Sequence, residues 1–230
     1  MSGTVDPSFM RGKSHVLHLD PARTALVVVD MQNDFVRRGA PLEVPDARDT
    51  INNHRRLLKA FRDRKRVVVF TRFIAGPGRT LIWNWSPQLK PPICCCWPGF
   101  MRAYGDVEGP RDAAAVIDEL APLPSEIQVD KYNYGAFHRT HLLDCLEAQG
   151  VDTVVVTGTV TQICVDETAR GAFREGLKTV MVSDAVSSFD RTLHQATLAN
   201  FAMKFGWVMA TDEVLARYKY KTLASTVRLP

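Results

Sequence analysis

The chain has 230 residues, of which 46% are hydrophobic and 23% charged, with a formal net charge of +4 at neutral pH. These proportions allow one globular domain with a full core, and the basic residues are spread out, as in Arg55, Arg56, Lys59, Arg62, Arg64, Lys65 and Arg66, which fits a solvated helix face and gives no ground for a nucleic-acid partner. The longest apolar runs are too short to cross a bilayer, no basic leader followed by an apolar stretch opens the chain, and three of the five cysteines are adjacent at Cys94, Cys95 and Cys96, so no membrane partner is expected and a reducing, cytoplasmic location is.

Residues 1–21 are polar and aperiodic and read as a loosely held arm, leaving 22–230 as a single domain. Ala25 to Val29 is an unbroken apolar strand that ends at Asp30 and is followed by Met31, Gln32, Asn33, Asp34 and Phe35. A helix is predicted over Asp46 to Lys65, with Ile51, Leu57, Leu58 and Phe61 on one face, then a second buried strand over Arg66 to Thr71. From Arg72 to Asp112 the periodicity disappears. A stretch of this length inside a compact domain reads as a lid or binding loop, and it holds Trp83, Trp85, Trp97, Phe100 and Tyr104 among its prolines. The alternative is a surface excursion packed on its own aromatics.

Regular signal resumes with a helix predicted over Ala113 to Leu120, a strand over Ile127 to Asp130 ending at Lys131, and a helix over Thr140 to Gln149 stopped by Gly150. A strand over Thr153 to Thr157 then stops at Gly158, and a helix follows with Thr161 as its expected N-cap and Gly176 as its C-terminal stop. Cys164 falls in the first turn of that helix, where unpaired N–H groups and the helix dipole favour a thiolate. The remaining elements are a strand over Thr179 to Ser183, a helix over Arg191 to Phe205 capped by Asp190, a strand over Trp207 to Ala210 and a closing helix at Asp212 to Arg217. Strict strand–helix alternation implies an α/β fold, a doubly wound parallel sheet of about six strands with helices on both faces.

In such sheets the reactive crevice lies beyond the carboxyl ends of the strands. Asp30, Lys131 and Cys164 all fall there. Singly, they read as a turn former, a solvated strand end and a small buried side chain. On one edge together, a carboxylate, an ammonium and a thiol form the set that activates a nucleophile.

Three segments carry a resemblance: VVVDMQNDF (Val27 to Phe35), VDKYNYGAF (Val129 to Phe137) and GTVTQICVDETARGAF (Gly158 to Phe173). In this order they resemble the isochorismatase-like cysteine hydrolase superfamily, over about residues 22–215. The resemblance implies a catalytic triad at Asp30, Lys131 and Cys164, and a non-proline cis peptide between Thr159 and Val160. It also implies an oxyanion hole from the backbone N–H groups of Val160 and Cys164, and a homodimer or homotetramer. Cys164 sets the chain apart from the vinyl-ether hydrolases of the family. The Asp-x-His and further histidine that bind metal in its nicotinamidases are missing after the second strand, where the chain reads Thr71, Arg72, Phe73, Ile74 and Ala75. No metal and no cofactor are therefore expected.

The implied activity is hydrolysis of a small amide, carbamoyl or ureido compound through a thioester on Cys164, the small-molecule amide being the only partner besides further copies of the chain. Alternatives are an isochorismatase-type or nicotinamidase-like hydrolase, or a non-catalytic binding member of the fold. Phe35, Tyr134 and Phe137 are candidate pocket walls, with Trp83 and Trp85 from the long loop. Arg72 would either receive a substrate carboxylate or form a structural ion pair. Gly135 stands where many relatives have serine.

Overall fold

A computed structural model of the chain describes residues 17–75 and 81–218. Residues 1–16 of the expected arm, five residues of the long loop and the last twelve residues of the expected domain lie outside it. The described end of the arm is packed, with Leu17 and Leu19 buried in the core; their two-residue spacing puts both side chains on the inner face.

The elements are β1 (Thr24–Val29), α1 (Asn33–Val36), a 3₁₀ turn at Pro45–Thr50 running into α2 (Ile51–Arg62), β2 (Val68–Phe73), α3 (Ile82–Trp85), β3 (Met101–Arg102), β4 (Arg111–Asp112), β5 (Ile127–Lys131), α4 (Leu142–Ala148) and β6 (Thr153–Thr159). A π-helical turn (Thr161–Val165) leads into α5 (Asp166–Arg174), followed by β7 (Lys178–Ser187), α6 (Arg191–Lys204), β8 (Trp207–Met209) and α7 (Thr211–Tyr218). Six strands form one parallel sheet in the order β5-β2-β1-β6-β7-β8. The order reverses at β1, so β1 and β6 flank the crevice where chain direction across the sheet switches.

The pleat sorts β1 between two cores. Leu26 and Val28 face a layer with Leu57, Leu58 and Phe61 of α2 and Val214 of α7, whereas Ala25, Val27 and Val29 face Leu142, Leu146, Ala169, Ala172 and Phe201. Both faces of the central strand are thus dry, which is why its sequence is a continuous apolar run. No helix among the described residues is long and apolar enough to cross a membrane.

Three local expectations change. The helix predicted over Ala113 to Leu120 is absent apart from a 3₁₀ turn at Asp118–Leu120. The alanines suit a helix, yet the backbone here is used for cross-chain bonding: Asn33 N–H donates to the Ala115 carbonyl and Ile117 N–H to that of Met31. The segment Arg72 to Asp112 is not structureless, since it opens with the last two residues of β2 and contains α3 and the β3–β4 pair. Thr161 does not cap a helix; its hydroxyl donates to the Ser187 carbonyl at 3.0 Å and faces His194 Nδ1. Asp190, by contrast, caps α6 through the Leu193 N–H.

His54 of α2 is fully buried beside the Thr50 carbonyl, 2.9 Å from Nδ1, so the neutral ring with its proton on Nδ1 fits the site. Burial lowers its pKa from 6.5 to about 4, against smaller opposing effects of the Thr50 carbonyl and Asp184. The unfolded chain therefore takes up a proton at higher pH than the folded one. Stability from this residue is complete above pH 6.5 and falls as pH drops towards 4, by about 3 kcal/mol in all. Melting curves of wild type and His54→Leu between pH 7.5 and 4.5 test this. The variant is expected to lose distinctly less stability on acidification, and parallel curves refute the assignment.

Candidate active site

Asp30 is the first residue beyond β1 and sits in the left-handed region at φ 50°. Its N–H donates to the Thr71 carbonyl at 3.2 Å, so it remains attached to the sheet while the chain turns away. Lys131 ends β5, on the far side of β2. The two side chains are both completely buried, with Lys131 Nζ 2.7 Å from Asp30 Oδ2. Thr71 Oγ1 donates to Asp30 Oδ1 at 2.7 Å, and Lys131 also donates to the Asn133 carbonyl at 3.1 Å. The ring of Phe73 lies 5.4 Å from the ammonium.

Cys164 is brought to this pair by a turn that depends on Gly158. There φ is +112°, and a Cβ would lie 1.9 Å from the Val29 carbonyl oxygen, so no larger residue fits against β1. The next peptide but one, Thr159–Val160, is cis, as the resemblance implied. Instead of the first turn of an α-helix, Cys164 occupies a π-helical turn, a geometry frequent at functional positions. It is buried, and Asp30 and Lys131 both act on its thiol.

Burial works against the thiolate that a helix start favours. Burial pushes the Cys164 thiol far above its ordinary range; Lys131 opposes this and Asp30 reinforces it. Burial also works against the Lys131 ammonium, but Asp30 and Cys164 together hold its pKa above the usual lysine value. The resting arrangement is thus a neutral thiol beside an ion pair, and the thiol proton has a carboxylate oxygen to receive it.

A cavity of about 390 Å³ opens over Cys164, lined by Phe35, Pro41, Leu42, Glu43, Phe73, Ile82, Ser86, Leu89, Tyr134, Thr159, Val160, Ile163 and Phe189. Phe35 and Tyr134 are where the sequence put them. Phe137 is not in this wall; it packs against α5 and would contact any Cβ at Gly171. Trp83 packs on the core, 6.3 Å from Trp97 and beneath Lys90, and Trp85 is exposed; neither lines the cavity.

Arg72 lies within β2 and makes a two-point ion pair with Asp130, at 2.7 and 2.9 Å. The alternation of the strand explains this: Thr71 and Phe73 serve the site, while Arg72 between them projects the other way. Thr71, Phe73 and Gln32 were missed. Gln32 takes the Phe73 N–H at 2.7 Å and donates to the carbonyls of Phe73 and Ala114, fixing the end of β2. Its position two residues beyond Asp30 was the available signal. Gly135 faces the Glu167 side chain, so a serine there would have to move a flexible carboxylate.

Among the described residues, Asp34, Cys95 and Cys96 are close enough together to hold a metal. The Asp34 oxygens are already taken, however, by Arg102 at 2.8 Å, the Tyr104 hydroxyl at 2.7 Å and the Cys96 N–H at 2.8 Å. This group reads as a structural hub.

Comparison with known proteins gives a match of residues 24–213 to the isochorismatase domain family. The chain is 31% identical over 231 residues to the ureidoacrylate amidohydrolase RutB of Stutzerimonas stutzeri, covering 92% of this chain and 89% of that protein. Among solved structures, a cysteine hydrolase from Pseudomonas syringae pv. phaseolicola matches with a TM-score of 0.77 at 30% identity, over 90% of this chain and 98% of the other. The N-carbamoylsarcosine amidase of Thermoplasma acidophilum matches with a TM-score of 0.67 at 29% identity, over 83% and 97% of the two chains.

Proposed function

The chain belongs to the isochorismatase family, and on that premise we propose that it is a cysteine-dependent amidohydrolase of small amide, carbamoyl or ureido compounds. The observation that carries this reading is the fully buried Asp30–Lys131 pair against Cys164, at the floor of an apolar cavity. Relatives named as amidohydrolases of ureido and carbamoyl compounds support it.

In the proposed mechanism Asp30 takes the Cys164 proton as sulfur bonds to the carbonyl carbon, and Lys131 stays charged beside both. The carbonyl oxygen, now an alkoxide, is received by the N–H groups of Val160 and Cys164, two residues that line the cavity. Collapse of this adduct breaks the C–N bond, and Asp30 returns its proton to the leaving nitrogen. Water then adds to the thioester, or to the thiocarbamate from a ureido substrate, giving a proton to Asp30. The acid departs and the thiol is restored.

Residues 22–230 act as one domain in this reading, with the 72–112 segment forming the substrate side of the cavity through Phe73, Ile82, Ser86 and Leu89. We place the protein in the cytoplasm as a homodimer or homotetramer; five unpaired cysteines fit a reducing compartment, and the exposed Phe189 and Leu193 supply apolar surface for a second copy. The test is an ammonia-release screen with purified protein over primary amides, carbamoyl compounds, biuret and nicotinamide. Turnover of an amide or carbamoyl member is expected, undiminished by EDTA. Absence of ammonia throughout overturns the reading, and loss on chelation with recovery on adding a divalent metal overturns its metal-free form.

A further inference from the structure

The cavity wall is mainly apolar. Phe35, Phe73, Ile82, Leu89 and Ile163 dominate it, and Phe189, 60% exposed, continues the apolar surface to the rim. Glu43 is the only charged side chain among the described lining residues. Its two oxygens are turned to its own loop, one accepting the Gly39 N–H at 2.8 Å and the other Arg48 at 2.8 Å.

Four described cations near the site are engaged elsewhere. Arg48 is held by Glu43 and the Val36 carbonyl, Arg72 by Asp130, and Arg102 by Asp34. Lys131 is committed to Asp30 and the Asn133 carbonyl. A carboxylate entering the cavity would lose its water and find no free guanidinium or ammonium among these groups, a costly arrangement for a desolvated charge. An uncharged ring or branched alkyl group would instead displace water from the apolar walls.

We propose that the substrate is a primary amide or a monosubstituted urea whose non-reacting part is uncharged and apolar, about the size of one aromatic ring or a branched alkyl group. The inference rests on the amidohydrolase reading above and narrows it, since it turns the site away from carboxylate-bearing ureides. Selectivity then comes from the wall itself: the reacting carbonyl is read by Cys164 and the backbone, and the remainder by shape and dryness.

The test uses matched pairs that differ by one carboxylate: 2-phenylethylurea against N-carbamoylphenylalanine, and 3-phenylpropanamide against its para-carboxylate. The uncharged member of each pair is expected to have at least a tenfold higher kcat/KM for ammonia release. Leu42→Arg, checked for folding by circular dichroism, is expected to shrink that ratio at least tenfold through a gain on the charged member. Equal or better turnover of the carboxylates by wild type overturns the inference while leaving amide hydrolysis intact. Arg79→Ala, at a residue outside the described segments, is run in parallel; a carboxylate advantage that vanishes in it identifies the anchor and equally overturns the inference.

Should no compound release ammonia, it is the hydrolase reading that fails, and calorimetry with Cys164→Ala decides the narrower point. Binding of 3-phenylpropanamide at least tenfold tighter than of its carboxylate upholds an apolar-ligand site. Equal binding, or none of either, refutes it.

Discussion

Cys164→Ala is expected to lower kcat for ammonia release by about 10⁴-fold or more while the circular dichroism spectrum stays that of wild type. The size of the effect follows from covalent chemistry. Without sulfur there is no acyl intermediate, and Asp30 has no nucleophile to deprotonate. Cys164→Ser is expected to be nearly as inactive, because a hydroxyl is a far weaker acid than a thiol and burial already opposes charge at this position. Cys145→Ala should stay within a few-fold of wild type, since Cys145 lies on α4, outside the cavity lining. A Cys164→Ala protein with wild-type turnover would remove the nucleophile assignment altogether.

The second large effect lies in stability as well as in rate. Lys131→Met should unfold about 3–5 kcal/mol more easily than wild type, because Asp30 is left as a buried charge with only the Thr71 hydroxyl to receive. Activity should fall by at least about 10³-fold, as the charge that holds both the carboxylate and the developing thiolate is gone. Asp30→Asn combined with Lys131→Met removes both charges and should regain most of the lost stability, yet no activity. Urea unfolding midpoints for the two single variants and the pair decide this. If Lys131→Met is as stable as wild type, the pair is not the buried ion pair described. If the double variant is less stable than either single one, the residues act independently.

The sheet was legible because burial on both faces leaves an unmistakable mark: Ala25 to Val29 and Thr153 to Thr157 have no polar alternation to obscure them. Asp30 stood out in the same way, as the residue at which such a run ends, whereas Lys131 closes an alternating strand and Cys164 lies seven residues beyond its strand run, so those two were singled out by sharing one sheet edge and by the resemblance. The protonation of the thiol was not legible. It depends on how completely the surrounding layers exclude water, which a helix-start argument leaves out. The wall of the cavity was misread through aromatics: Trp83 and Trp85 drew attention by size, but Ile82 and Leu89 beside them point inward. For Arg72 the structural ion pair is the alternative that holds: β2 ends at Phe73, two residues beyond the expected end at Thr71, so Arg72 is a strand position and not a loop position.

The hub at Asp34 has a mechanical consequence for the long segment between β2 and β5. Cys96, Arg102 and Tyr104 are all moored to one carboxylate that stands four residues from Asp30, so the stretch from Cys96 to Tyr104 is anchored to the loop that follows β1. The part before that mooring carries Ile82, Ser86 and Leu89, and it is tied on in turn, the Leu89 carbonyl accepting the Trp97 indole N–H at 2.8 Å. A change at Arg102 or Tyr104 therefore reaches, through Asp34, the loop that begins at Asp30.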